Sequence, residues 1–313
     1  MNDFLMAFSA VFPMFFYMVL GGFISRKGWM DKASFQKLNQ VIFKIFIPLM
    51  LFVNIYESDF KNSVNPRLIL LVLLMVLVIF LLLCLIVPIF VKEKADASVM
   101  IQGIYRSNYV LFGLTMASSI YRGQDLGVVS ALAAFLVPLF NALAVILFET
   151  FRGGKIHLSA LLMKILKNPL IIGGLLGIFF ALTEIKLPVL LVDTLSDAGS
   201  IASPVALVCL GGMLSFQSLK EHWGKLLAVL SCRLVLLPLA AVTVCALLGY
   251  RNMELIAVLA AFGSPTAVAS GPMAQSMGGN GELAGEIIAT GSAACIVTIF
   301  LFVWVMKSAG LIA

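Results

Sequence analysis

One stretch of the sequence places Arg106, Ser107, Asn108 and Tyr109 near the middle of an otherwise apolar segment. A charged side chain at the centre of a bilayer costs on the order of 3 kcal/mol by insertion scales, so it usually faces a cavity or a partner. The guanidinium, hydroxyl and amide at this point are typical of a site for a polar or anionic solute. Arg106 could balance a substrate anion or pair with an acidic neighbour, and the sequence leaves both readings open.

A second stretch reads Gly263-Ser264-Pro265-Thr266-Ala267-Val268-Ala269-Ser270-Gly271-Pro272. Proline removes a backbone donor and clashes with the preceding turn, so two prolines and two glycines here predict a broken helix. The N–H groups that begin the next half-helix would then be free to receive a carboxylate. The plainer alternative is that these residues only kink packed helices, as is common in membranes.

The two stretches are related by an internal repeat of helix-breaking residues. Four pairs recur at an offset of 156 residues: Pro13 and Pro169, Pro48 and Pro204, Gly21 and Gly177, Gly123 and Gly279. The same offset superimposes Asn108 on Ser264 and Tyr109 on Pro265. Inverted repeats with broken helices are the architecture of secondary transporters, which favours a substrate site over simple kinks.

The elements that must position these residues are membrane spans. The chain of 313 residues is 62% hydrophobic and 12% charged, with a mean hydropathy of +1.10, far outside the range of soluble domains. We expect an all-α polytopic membrane protein with ten transmembrane helices, arranged as two inverted five-helix repeats whose helices 4 and 9 are broken and cross. The expected spans lie near 4–25, 36–56, 67–91, 96–120, 126–149, 162–183, 190–215, 223–249, 254–276 and 284–306.

Three regions follow from this count: repeat 1 at residues 1–150, a short cytoplasmic linker at 151–160, and repeat 2 at 161–313. The first span has no basic leader and stays apolar to Ile24, so it reads as a retained helix.

Loops after the odd spans carry twelve Lys and Arg residues and the other loops carry five. We therefore expect a protein of the cell (inner) membrane whose odd loops lie in the cytoplasm. Both termini are then expected on the extracytoplasmic side. The net charge of +6 is explained by this bias and by anionic lipid of the bilayer, without nucleic acid.

Enzymes and metal proteins are disfavoured by what the sequence lacks. The five cysteines fall inside apolar spans without CxxC or Cys/His clustering, so they read as buried small hydrophobes. His157 and His222 are placed in cytoplasmic loops, which leaves no histidine at membrane depth for a metal or a proton relay. The common catalytic motifs are missing. We expect no catalytic residues, no metal and no cofactor.

The chain also resembles a known family, the auxin efflux carriers, which comprise plant PIN proteins and bacterial malate-permease-like members related in fold to bile acid sodium symporters. The matching segments are NYVLFG at Asn108–Gly113, LFETFRG at Leu147–Gly153, KNP at Lys167–Pro169 and LSDAG at Leu195–Gly199. Because several matches occur in the right order, the resemblance covers most of the chain.

This resemblance implies a scaffold of helices 1, 2, 6 and 7 and a moving core of helices 3–5 and 8–10. It implies that Asn108 contacts the substrate carboxylate. Plant members carry prolines where Thr115 and Ser270 stand, so we expect breaks displaced toward Gly113 and Gly271–Pro272. The long cytoplasmic loop of many plant members is replaced by a short joint after Phe151, as in bacterial members.

The sequence thus predicts a secondary transporter of small organic anions, such as malate or auxin-like acids, that works by alternating access. The alternatives are a sodium-coupled symporter of the bile acid type, a channel or, less favoured, a membrane-embedded enzyme. Two copies could pair through the scaffold helices. Arg233 has no polar company in its span and is expected to pair locally or reach the interface. The expected substrate-binding residues are Arg106, Ser107, Asn108, Tyr109, Gly113, Ser264, Pro265, Thr266 and Ser270.

Overall fold

The structure is a computed structural model that describes residues 12, 16–57, 65–121, 127–152, 167, 169–213 and 220–312. Helices account for the secondary structure of these residues, apart from one isolated β-bridge. In chain order the α-helices are α1 (16–26), α2 (Lys32–Val41), α3 (Ile47–Tyr56), α4 (Pro66–Phe90), α5 (Lys94–Tyr105), α6 (Tyr109–Ile120), α7 (Gly127–Phe151), α8 (Pro169–Thr183), α9 (Val189–Ser200), α10 (Ala202–Met213), α11 (Trp223–Ser231), α12 (Leu237–Leu247), α13 (Asn252–Gly263), α14 (Ser270–Met277) and α15 (Gly281–Ser308).

Several of these helices are long and apolar enough to cross a membrane. Within the described residues six segments meet that condition: Lys32–Val53, Pro66–Phe90, Ala131–Phe151, Val189–Met213, Trp223–Leu247 and Gly281–Ser308. Two shorter apolar helices lie at Ile171–Thr183 and Asn252–Gly263. A helix needs about 20 apolar residues to span the hydrocarbon core. The expected all-α membrane protein is therefore confirmed.

Two helical segments are continued through π-turns that precede a proline. Residues Ile42–Phe46 join α2 to α3, and Cys232–Leu236 join α11 to α12. Pro48 and Pro238 follow within the first turn of the next helix. Proline cannot bond to the carbonyl four residues back and its ring collides with it, so one widened turn lets the helix pass.

The described helices that correspond to the expected scaffold pack through glycines with almost no space between backbones. A Cβ added to Gly21 in α1 would lie 1.9 Å from the Val208 carbonyl oxygen of α10. A Cβ added to Gly173 in α8 would lie 2.5 Å from the Pro48 carbonyl oxygen of α3. Small residues allow this approach of membrane helices.

Two interrupted helices form the centre of the molecule. Ten consecutive residues of α5, Asp96–Tyr105, are buried, and so are nine of α13, Leu255–Gly263. In contrast α4 exposes much of its apolar surface, as a helix that faces lipid does. The first interruption spans Arg106–Asn108 between α5 and α6, and the second spans Ser264–Ala269 between α13 and α14.

The expectation that these breaks are displaced toward Gly113 and Gly271–Pro272 is wrong. Gly113 lies inside α6, where Val129 and Tyr109 side chains fill the space that a side chain would need. Gly271 and Pro272 are the second and third residues of α14. Proline is tolerated in the first turn because its missing N–H would have no intrahelical partner there.

Some expected features fall outside the described residues. These are residues 4–11 and 13–15 of span 1, with Pro13 among them, residues 162–166 at the start of span 6, Gly123 with the Arg122 loop, and residues 153–160 of the linker.

Candidate solute-binding site at the crossing of two broken helices

The two breaks are joined by backbone hydrogen bonds. Ser107 and Thr266 form an isolated antiparallel bridge, and the Asn108 N–H donates to the Pro265 carbonyl at 2.9 Å. The Thr266 hydroxyl donates to the Gly103 carbonyl of α5 at 2.8 Å. The sequence offset equates Asn108 with Ser264, whereas the structure pairs the two extended segments around Ser107 and Thr266. This short ladder satisfies polar backbone groups that would otherwise be stranded at membrane depth.

Arg233 forms hydrogen bonds to the helix ends at both breaks. This corrects the expectation that it pairs locally or reaches the interface. Its side chain is 1% exposed. It donates to the Ser264 carbonyl at 2.8 Å, Ala261 at 3.1 Å, Ile104 at 3.1 Å and Tyr105 at 3.4 Å. These carbonyls lie at the C-terminal ends of α13 and α5, which carry partial negative charge and have no intrahelical donors. One guanidinium therefore fixes the ends of two half-helices together.

Arg106, in contrast, is bonded only to neutral groups among the contacts that the structure gives. It is 3% exposed, its Nη2 donates to Asn141 Oδ1 at 2.7 Å, and its Nη1 lies 3.0 Å from Met273 Sδ. Asn141 Nδ2 in turn donates to the Val137 carbonyl at 2.7 Å, which fixes the orientation of the amide. A buried guanidinium with an amide and a thioether as partners keeps an uncompensated positive charge.

A cavity of about 200 Å³ lies beside Arg106. Arg106, Ser107, Asn108 and Tyr109 line it, and so do the following further residues: Ile47, Met50, Leu51, Val137, Phe140, Asn141, Ser203 and Ala267–Ala269. Ile47, Met50, Leu51 and Ser203 belong to the expected scaffold, and the others belong to the expected core. The cavity is thus a mostly apolar pocket with a few convergent polar groups, as small-molecule sites usually are.

Four of the expected site residues line this cavity and five do not. Of the four, Ser107 has a buried hydroxyl without a hydrogen-bond partner among the described residues, and the Asn108 side chain makes no capping bond to the described part of α6. The five others are placed as follows: Ser264 bonds to the Ala260 carbonyl, Pro265 and Thr266 bond to the other break, Gly113 lies inside α6, and Ser270 borders a separate small void.

The second break offers fewer free N–H groups than the sequence suggests. Ser270 N–H donates to the Ala267 carbonyl at 2.9 Å and Gly271 N–H to Val268 at 3.2 Å. Pro272 has no N–H. In the described part of the chain, helix α6 begins at Tyr109 without such turns, so its first N–H groups remain the stronger dipole end at the cavity.

Asn141 is the functional candidate that the site prediction missed. It is separated from Arg106 by 35 positions and lies on α7, away from any break. The only signal was its type, an asparagine within an apolar span, where amides bond across helices.

Comparison with known proteins assigns the chain to a family. A search of curated proteins gives no match. The model of the family described as membrane transport protein matches residues 6–303, nearly the whole chain. The described residues are mostly helical, several helices are long enough to cross a bilayer, and a cavity with a few polar lining groups lies where two broken helices meet. The chain belongs to the membrane transport protein family, the family of the auxin efflux carriers.

Proposed function

We propose that the protein is a secondary transporter that moves small organic anions, carboxylates such as malate or auxin-like acids, by alternating access. The observation that carries this proposal is Arg106, a buried guanidinium that borders the cavity and has neutral partners. A carboxylate in the cavity would receive a charge-assisted, bidentate hydrogen bond, which is the geometry in which arginine binds anions best.

The charge around the crossing supports an anion in preference to a cation. Arg106 and Arg233 are both buried there. The residues that line the cavity include no carboxylate. The electrostatic work of burying two cations is offset in part when an anion enters, so the field of the protein selects the sign of the solute.

Asn108 and Ser107 complete the recognition of the anion in this proposal. The Asn108 amide can donate two hydrogen bonds, and the Ser107 hydroxyl has no partner in the part of the chain that the structure describes. The apolar part of the substrate would rest on Met50, Leu51 and Val268. Because α14 has few free N–H groups, Arg106 is assigned the main counter-charge, and the α6 N-terminus adds to it.

The architecture proposed for this activity is the expected one: ten transmembrane helices in two inverted repeats, 1–150 and 161–313, with both termini outside the inner membrane. The glycine contacts support it, because Gly21 packs α1 on α10 and its repeat mate Gly177 packs α8 on α3. Helices 1 and 7 and helices 6 and 2 are related pairs in an inverted repeat. Pairing of two copies through the scaffold belongs to the same proposal.

The test is uptake of a panel of labelled carboxylates into proteoliposomes. Wild-type protein should exchange at least one of them, Arg106→Gln should lose nearly all exchange, and Arg106→Lys should keep part of it because the charge survives while the planar fork is lost. Arg251→Gln is the matched control, since Arg251 is exposed and bonds to two carbonyls at a helix end. Full exchange by Arg106→Gln would contradict the proposal, and uptake that requires a sodium gradient would instead favour the sodium-coupled alternative.

A further inference from the structure

A second buried polar cluster lies away from the crossing, where the N-terminal ends of α5, α11 and α15 meet. Its centre is Glu286 on α15, which is 0% exposed and whose Oε2 lies 2.7 Å from His222 Nδ1. His222 is the N-cap residue of α11 and its side chain is 15% exposed. His222 and Glu286 therefore form a pair in which Glu286 is enclosed and His222 reaches the surface.

His222 was expected in a loop, and its contact with a buried carboxylate was not foreseen. His222 does precede α11, as expected of a loop residue, but it turns inward onto a carboxylate that the sequence places 64 positions later. A buried carboxylate is strongly favoured to keep a proton or a cation near it.

The other charged groups around the pair are already matched to one another. Asp96 on α5 accepts from Lys225 on α11, and Asn280 Nδ2 donates to the second Asp96 oxygen at 2.8 Å. One turn before Glu286, Glu282 pairs with Lys32 at 3.6 Å. Lys225 and Asp96 cancel each other, so protonation of His222 adds one positive charge beside the Glu286 carboxylate.

The remaining groups on elements that pack against α15 have other roles. Lys220 and Glu221 beside His222 are exposed. Arg233 is held by backbone carbonyls, Glu254 accepts from Asn65 at 2.8 Å, and Cys209 is a buried thiol.

We propose that His222 and Glu286 form the proton-binding site that couples transport to the pH gradient, an inference that rests on the proposed anion transport. A proton enters at the exposed edge of His222 and is held as imidazolium against Glu286. Histidine suits this role because its charge ordinarily changes between about pH 5 and 8. Each proton that loads with the solute cancels the charge of one carboxylate group, so the loaded form brings less net charge into the membrane than the solute alone would.

The helices connect this pair directly to the solute cavity. Ile287, next to Glu286, packs on Gly103 of α5, where an added Cβ would lie 3.1 Å from it. Gly103 also accepts the hydrogen bond from Thr266 of the second break. Proton binding thus changes the charge at the start of the same helices that hold Arg106 and Arg233 in place, which is the differential interaction that coupling requires.

The experiment uses the full chain in proteoliposomes with labelled malate as the probe. At equal pH on both sides, wild type, Glu286→Gln, His222→Gln and the matched control Glu282→Gln should exchange malate alike. With the outside one pH unit more acidic, wild type and Glu282→Gln should accumulate malate by up to about tenfold per proton. Glu286→Gln and His222→Gln should keep exchange and lose this accumulation.

The outcomes separate the two proposals. Absence of malate exchange in wild type would count against the proposed transport of malate, whereas exchange without any effect of the pH gradient would overturn the proton site alone. Accumulation by Glu286→Gln equal to that of wild type would also overturn it. Loss of exchange in both variants, with both monodisperse after purification, would assign the pair to folding and would likewise reject a coupling role.

Discussion

At the scale of single residues, Asn108 provides the clearest test of how the substrate is recognised. Asn108→Ala should weaken binding of the preferred carboxylate by about 1–3 kcal/mol, the range for hydrogen bonds to charged groups. Asn108→Asp should weaken it further because a negative charge then faces the anion. Binding is measured by calorimetry on purified protein, and Ser203→Ala at the scaffold side of the cavity is the control. A folded Asn108→Ala protein with unchanged affinity would remove this residue from the site.

The sequence identified part of the site because residue type alone shows which side chains are energetically costly to bury in an apolar span. Arg106 and Asn108 inside an apolar span required an explanation, and both line the cavity. Arg233 raised the same question, but its partners are backbone carbonyls of α5 and α13, which no side-chain pattern reveals. The His222–Glu286 pair was missed for a related reason, since a contact across 64 positions depends on how three helices begin together.

At the scale of helices, adjacent glycines in α1 allow a matched test of backbone packing. Gly21→Ala would place its Cβ 1.9 Å from the Val208 carbonyl oxygen, whereas a Cβ at Gly22 meets its nearest atom, the Gly211 oxygen, at 3.7 Å. Forced overpacking costs on the order of 1–3 kcal/mol, while alanine otherwise favours a helix by up to about 1 kcal/mol. Thermal unfolding in detergent should therefore show a lower midpoint for Gly21→Ala and no loss for Gly22→Ala. Equal midpoints would show that α1 and α10 are not in this contact.

The positions of the breaks illustrate what local sequence can and cannot specify. Pro265 ends α13, as expected from its missing donor, but Pro272 is absorbed in the first turn of α14. The first break contains no proline and begins at Arg106. It is stabilised by tertiary contacts, the bridge to Thr266 and the Arg233 hydrogen bonds, so the proline that plant members carry where Thr115 stands was a poor guide to its position.

At the scale of the whole molecule, the proposed mechanism requires the scaffold and the core to move past each other. Asn39 on α2 donates to Gln275 Oε1 on α14 at 2.8 Å, and this contact joins the two groups of helices. Asn65, the N-cap of α4, and Glu254 of α13 are bonded at the same distance, 2.8 Å, but both belong to the proposed core. The two pairs therefore have the same hydrogen-bond distance. Alternating access predicts relative motion between the members of the Asn39–Gln275 pair and none between Asn65 and Glu254.

Paired cysteines at these positions test the division directly. In a background without the five native cysteines, Asn39→Cys with Gln275→Cys should lose most carboxylate exchange when a short bifunctional thiol reagent links them. Asn65→Cys with Glu254→Cys should keep exchange after the same treatment, because a link inside one rigid group restricts no required motion. Each single cysteine variant controls for the reagent. Since a linked scaffold and core cannot slide, full exchange by the cross-linked Asn39–Gln275 pair would show that the moving unit is not divided between α2 and α14.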